Sequence, residues 1–127
     1  MARNRETRTV QTPALLAVGA RPDVLVWRQQ VGVFRSYDDP DRLVRVGVPG
    51  MSDSMAVIAV EVTPEMVGRT VGVFVSAEFK TETGHQSKPQ RAWQRAVEQR
   101  GGVYAVVRSE ADMRALVARV RSGDAVK

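Results

Sequence analysis

The second half of the chain carries signals for a strand, a helix and a second strand, in that order. An apolar run from Val71 to Phe79 predicts a strand over 71–80. Ser87-Lys88-Pro89-Gln90 fits a capping box and predicts a helix over 88–100, which Gly101-Gly102 ends. Val103 to Val107 predicts the next strand. Because such crossovers join parallel strands in a right-handed sense in most cases, this half predicts an α/β fold.

The other segments predict short elements around this unit. We expect a helix from Pro13 to Val18, then extended chain from Val24 to Arg35 with a turn or bulge at Gly32. A turn over 38–41 and a loop from Val44 to Met51 are expected next, followed by an apolar strand from Met55 to Val62 that is buried on both faces. The remaining signals are a helix start at 63–66 and a last helix capped by 109–112. The whole is expected to be one domain, residues 1–127, with a mixed β-sheet flanked by helices. Residues 1–11 are expected to be a flexible arm.

Composition limits the chemistry that this chain can perform. It has no cysteine, so zinc-thiolate sites, iron–sulfur clusters and cysteine nucleophiles are excluded, and a metal must be held by oxygen or by His85. Lys and Arg number 19 against 14 Asp and Glu, a formal charge of +5 that favours polyanionic partners. No stretch has the length of a membrane span, and no signal-peptide core follows the N-terminus, so we expect a cytoplasmic protein.

Two charged residues stand at the end of the apolar run. The period of two in a strand places Glu78 and Lys80 on one face and directs Phe79 the other way, into the core. A carboxylate and an ammonium on one face, opposite a second carboxylate such as Asp53, can hold a hard divalent cation and orient a water. That chemistry suits the hydrolysis of phosphate esters.

Several segments together resemble one nuclease family. They are Trp27-Arg28-Gln29-Gln30-Val31-Gly32, Gly47-Val48-Pro49-Gly50-Met51-Ser52-Asp53, Thr63-Pro64-Glu65-Met66-Val67-Gly68-Arg69, Val73-Phe74-Val75-Ser76-Ala77-Glu78-Phe79-Lys80-Thr81, Ser87-Lys88-Pro89-Gln90 and Gly101-Gly102. Their order and spacing resemble the virus-type replication-repair nucleases (VRR-NUC domains) of the PD-(D/E)XK superfamily, which are common in bacteriophages. The resemblance runs from about Trp27 to Arg108 and implies a restriction-endonuclease-like core.

The resemblance implies a role for each matching residue. Asp53 and Glu78 would be metal ligands together with the backbone carbonyl of Phe79, and Glu6 is a further candidate ligand. Lys80 would hold the attacking water or stabilise charge on the phosphate, and Gln90 matches a glutamine that points its amide toward the site. The chain departs from the family pattern at Ser52, where proline is usual, and at Gln29, where asparagine is usual.

The activity implied is that of a Mg²⁺- or Mn²⁺-dependent, structure-selective DNA endonuclease. The resemblance further implies a homodimer acting on branched DNA such as four-way junctions, encoded by a phage or prophage and working in the bacterial host. We expect phosphate contacts from Arg28, Arg35, Arg42, Arg45, Lys88, Arg91 and Arg95.

Each assignment has an alternative. Asp53 could be a turn residue, Glu78 and Lys80 a solvated pair on an edge strand, and Gln90 a helix cap only. His85 is more typical of a surface loop, and Trp27 and Trp93 of a core, than of a site. As a whole, the chain could be a catalytically silent nuclease fold that binds DNA, a nuclease acting on RNA or on DNA ends, or a basic α/β domain in which the motif is coincidence.

Overall fold

The computed structural model describes residues 5–124 and divides the chain into two compact units, Met1–Ala56 and Val57–Lys127. The elements are a π-helical segment Thr7–Gln11, α1 Thr12–Val18, β1 Val24–Arg28, β2 Gly32–Arg35, β3 Leu43–Val46, β4 Ser54–Ile58, a 3₁₀ turn Pro64–Met66, β5 Val75–Phe79, α2 Lys88–Gln99, β6 Val103–Val107 and α3 Glu110–Arg121. The class is therefore α/β, as predicted. Within residues 5–124, no helix is both long and apolar enough to cross a membrane. That residues 1–127 form one domain stays a prediction.

The first unit opens with helix. Pro13 lies in the first turn of α1, which continues directly from the helical residues 5–11, and the Gly19 N–H donates to the Leu15 carbonyl oxygen at 2.8 Å where the helix ends. The helix predicted from Pro13 to Val18 is thus confirmed. Of the expected arm, residues 5–11 are helical in this structure, and residues 1–4 lie outside the described part.

A β-hairpin follows in the same unit. β2 and β3 pair antiparallel, with Gly32 opposite Val46 and Arg35 opposite Leu43. The prediction of a loop beginning at Val44 was therefore wrong for its first residues. Cross-strand hydrogen bonding to β2 carries the chain as a strand up to Val46, and the turn begins only at Gly47, whose φ of 72° suits glycine.

Strand β4 begins in the first unit and pairs with β1. The prediction that this strand is buried on both faces was wrong. Val57 is 6% exposed but its neighbour Ile58 is 61% exposed, so only one face is covered. An apolar run indicates that side chains favour burial, but burial on both faces also needs a second element to pack against the strand.

The second unit contains the predicted strand–helix–strand motif. β5 and β6 are parallel, with Val75 opposite Val103 and Phe79 opposite Val107, and α2 connects them. Val103, Val107 and Leu116 form the centre of the core, and Val97 of α2 has no exposed surface. Only residues 75–79 of the strand predicted over 71–80 pair as a strand. The predicted helix and second strand are confirmed.

Hydrogen bonds join the described strands into three two-stranded sheets: β1–β4, β2–β3 and β5–β6. The prediction of a single mixed sheet was therefore wrong for residues 5–124, in which the strands form three separate sheets. The strands are only four or five residues long, and residues 59–74 form no strand between β4 and β5. The nuclease core itself stays a prediction.

Candidate active site

The end of β5 brings Glu78 and Lys80 together. Their side chains lie on one face of the strand, with Lys80 Nζ 3.6 Å from Glu78 Oε1 and exposed fractions of 21% and 28%. The Lys80 N–H donates to the Val107 carbonyl oxygen at 3.1 Å, so backbone pairing with β6 continues one residue past the strand. Because of that bond, the side chain of Lys80 continues the alternation of side chains between the two faces of β5. The pair is half-buried rather than a solvated edge pair.

Gln90, in the first turn of α2, contacts the same carboxylate. Its Nε2 donates to Glu78 Oε1 at 2.8 Å, while its Oε1 accepts the Ser87 N–H at 2.8 Å and its own N–H donates to Ser87 Oγ at 3.2 Å. The side chain that completes the capping box therefore also donates to Glu78, and its role in a site stays a prediction. Because the cap fixes the amide oxygen, the NH₂ group is directed at Glu78.

One more hydrogen bond ties α2 to this face of β5. Trp93 Nε1 donates to Ser76 Oγ at 2.9 Å, and Ser76 lies two residues before Glu78 on the same face. Trp93 is half-buried, in keeping with its interpretation as a core residue. Ser76 was assigned no role from the sequence, although its spacing of two from Glu78 was a signal that it shares that face.

Phe79 does not point into a core. Its side chain is 68% exposed, so the sequence prediction was wrong. Alternation along a strand determines which face a side chain takes, but not whether that face is covered. At the last residue of β5 the face opposite Glu78 lies open.

Asp53 and Glu6 lie in the first unit. Asp53 is exposed just before β4, and its carbonyl oxygen accepts the Gln29 N–H at 2.8 Å. Both acids line a cavity of about 290 Å³ that also includes Arg28 and Gln11. The structure thus places Glu6, which the sequence supported only weakly, beside the same cavity as Asp53.

The predicted site residues fall into two groups. Glu6 and Asp53 belong to the first unit, and Glu78, Lys80 and Gln90 belong to the second. Within residues 5–124, no three acidic or histidine side chains are placed so that they could hold a metal ion together. The available ligands are carboxylate and carbonyl oxygens, which fit a hard cation such as Mg²⁺. His85 is exposed in the loop before α2, as the sequence indicated.

All seven predicted phosphate contacts are exposed side chains. Four of them already donate hydrogen bonds within the chain: Arg28 to Thr12, Arg35 to the Pro40 carbonyl, Arg42 to Ser36 and Asp38, and Arg91 to the Gln86 carbonyl. Around Arg42, a hydrogen bond from the Ser36 hydroxyl is the main cause that lowers the pKa of Asp38. Arg45, Lys88 and Arg95 are the other three.

No family model, no curated protein and no solved structure matches this chain. The VRR-NUC resemblance therefore stays a prediction.

Proposed function

We propose that this chain is a Mg²⁺- or Mn²⁺-dependent nuclease of the VRR-NUC type, with a PD-(D/E)XK core. The observation that carries the proposal is the set of contacts at Glu78. One carboxylate oxygen accepts from the Gln90 amide at 2.8 Å and lies 3.6 Å from the Lys80 ammonium. Both contacts use Oε1, which leaves Oε2 as the oxygen to offer a cation.

The metal would be held by Glu78, by Asp53 and by the Phe79 carbonyl oxygen, with Glu6 as a further ligand. When bound, Mg²⁺ or Mn²⁺ makes its water more acidic and polarises a phosphoryl oxygen. Lys80 holds the attacking water or stabilises negative charge on the phosphate. Gln90 orients Glu78, as a partner of a metal ligand does.

The charge of the chain supports a polyanionic substrate. A chain with a formal charge of +5 and exposed arginines attracts a polyanionic backbone, and phosphate contacts of this kind carry no base specificity. Selectivity then comes from the shape of the DNA, with branched DNA such as four-way junctions as the proposed substrate. A homodimer would offer two sites to a two-fold junction.

The test is a cleavage assay on four-way junction, flap, duplex and single-stranded DNA, with Mg²⁺, Mn²⁺ or a chelator. Lys80→Ala is expected to lower the cleavage rate by about 10²- to 10³-fold, the usual loss when a transition-state charge stabiliser is removed. Glu78→Gln and Asp53→Asn are expected to abolish metal-dependent cleavage while DNA binding is kept.

Two matched controls make the result specific. Glu82→Gln and Asp41→Asn change one exposed acid in each of the two units that hold Glu78 and Asp53, and both are expected to leave cleavage unchanged. Cleavage that persists in chelator, or that Lys80→Ala leaves intact, contradicts the proposal. Tight, salt-dependent binding without cleavage would indicate a silent nuclease fold instead.

A further inference from the structure

An apolar hollow lies on the face of β5 opposite Glu78. Phe79, 68% exposed, lines it together with Val107 and with Met113 of α3, which is 37% exposed. Its volume is about 320 Å³. A large aromatic ring this open at the end of a strand contributes little to the core, and with Val107 and Met113 it forms a continuous apolar patch, the kind of surface that marks binding sites.

The rim of the hollow is cationic. Lys80 and Arg108 both line it, but the Lys80 ammonium lies on the other face of β5, 3.6 Å from Glu78 Oε1, so the unpaired charge at the rim is that of Arg108. Nη1 of Arg108 donates only to neutral carbonyl oxygens, those of Thr81, Glu82 and Gly84, so these bonds leave its charge uncompensated. The acid at the rim, Glu110, is paired with Arg114. The hollow therefore combines an apolar floor with a positive edge.

We propose that this hollow binds an unpaired nucleobase of a DNA strand, with the base stacked on Phe79 and its phosphate beside Arg108. The inference rests on the proposed function, because the hollow adjoins Lys80, the residue assigned to the scissile phosphate. Aromatic side chains stack on any base through its π-face, and cations next to them track the backbone. A second copy of the chain fits less well, since a symmetric contact here would bring the like charges of two Arg108 side chains together.

The experiment uses the full-length protein and flap DNA with 2-aminopurine in its single-stranded arm. Binding and fluorescence are measured in chelator, so that cleavage plays no part. Stacking on Phe79 quenches the fluorescence. Phe79→Leu keeps an apolar side chain but removes the ring, and is expected to lose the quenching and to weaken binding about tenfold. Phe79→Trp is expected to retain both.

The matched control is Val117→Ala, which changes another exposed apolar residue of α3, 50% exposed, outside the hollow. Unchanged quenching and affinity in Phe79→Leu would overturn the inference. So would a change confined to the oligomeric state, measured by sedimentation, because that would assign the hollow to a second copy.

Failure here and failure of the nuclease proposal can be told apart. If the wild type cleaves no DNA but Phe79→Leu still loses quenching, the base site stands and the nuclease proposal falls. If the wild type cleaves with metal and Phe79→Leu matches it in quenching and affinity, the nuclease proposal stands and the base site falls.

Discussion

At the scale of single residues, Gln90 connects helix formation to the candidate chemistry. Its amide oxygen belongs to the cap of α2 and its amide nitrogen to Glu78. A capping box accepts either glutamine or glutamate, but only glutamine can donate to a carboxylate. The choice of glutamine is therefore explained by Glu78 and not by the helix.

Replacing Gln90 with glutamate separates these two roles. Gln90→Glu keeps the acceptor for the Ser87 N–H, so α2 is expected to stay capped and the melting temperature to change little. It removes the donor to Glu78 and sets two carboxylates against each other, so cleavage is expected to fall about 10- to 100-fold, the usual loss when a partner of a metal ligand is changed. Circular dichroism and the cleavage rate measure the two effects separately.

The control for this substitution lies one turn further along α2. Gln94 Oε1 accepts from Gln86 Nε2 at 2.8 Å, and Gln94→Glu keeps that acceptor. Its cleavage rate is expected to match the wild type. Equal losses in the two variants would show that charge on α2, and not the contact to Glu78, causes the effect.

At the scale of elements, side chains on both sides of the segment 81–87, between β5 and α2, donate hydrogen bonds to its carbonyl oxygens. Arg108, just after β6, donates to the carbonyl oxygens of Thr81 and Gly84 at 2.5 and 2.9 Å. From α2, Arg91 Nη1 donates to the Gln86 carbonyl oxygen at 2.7 Å. This segment joins Lys80 to the cap of α2, so its conformation sets the separation of Lys80 and Gln90.

Removing the Arg108 hydrogen bonds is expected to lower the local stability of this segment without unfolding the second unit. Arg108→Met keeps the aliphatic stem and loses the donors, which costs about 1 kcal/mol of stability for an exposed group of this kind. Amide hydrogen exchange is expected to accelerate at Gly84, whose N–H donates to the Thr81 carbonyl oxygen. Arg114→Met removes an exposed surface ion pair and is expected to change neither quantity measurably. Slow exchange retained in Arg108→Met would mean that local turn geometry alone holds the segment.

The sequence predicted the elements that carry local signals. Ser87 and Ser109 are N-caps as expected, and Gly101, with φ of 83°, ends the turn after α2. Such features depend on a few neighbouring residues. The exposure of Phe79 and Ile58 could not be predicted in this way, because it depends on which elements come to cover a strand.

The candidate site shows the same division. Glu78 and Lys80 follow from strand periodicity, and the contact of Gln90 follows once the helix begins at Lys88. The three carbonyl oxygens that accept hydrogen bonds from Arg108 lie 24 to 27 residues away in sequence, and no local sequence pattern predicts these contacts. Long-range contacts of this kind can be predicted only once the parallel pairing of β5 with β6 is known.

At the scale of the whole molecule, the proposed function requires an encounter with DNA, which a positive net charge favours. The formal charge is +5 and the isoelectric point of the sequence is about 10.4. Arg95 and Lys88 are exposed on α2, the helix that carries Gln90. Under the proposed function, these two cations hold the phosphate backbone close to the candidate site.

Salt dependence tests whether these two cations contact phosphate. Each phosphate neutralised contributes about −0.9 to the slope of log K against log salt concentration for duplex DNA. Arg95→Gln and Lys88→Gln are each expected to reduce the magnitude of that slope by about 1 and to weaken binding uniformly across sequences, measured by fluorescence anisotropy in chelator. Arg21→Gln is the matched control, because Arg21 is already paired with Asp23 at 2.7 Å and is expected to leave the slope as it is. If all three variants kept the wild-type slope, the outer face of α2 would be only a solvated surface, and the DNA would have to be held by cations elsewhere in the chain.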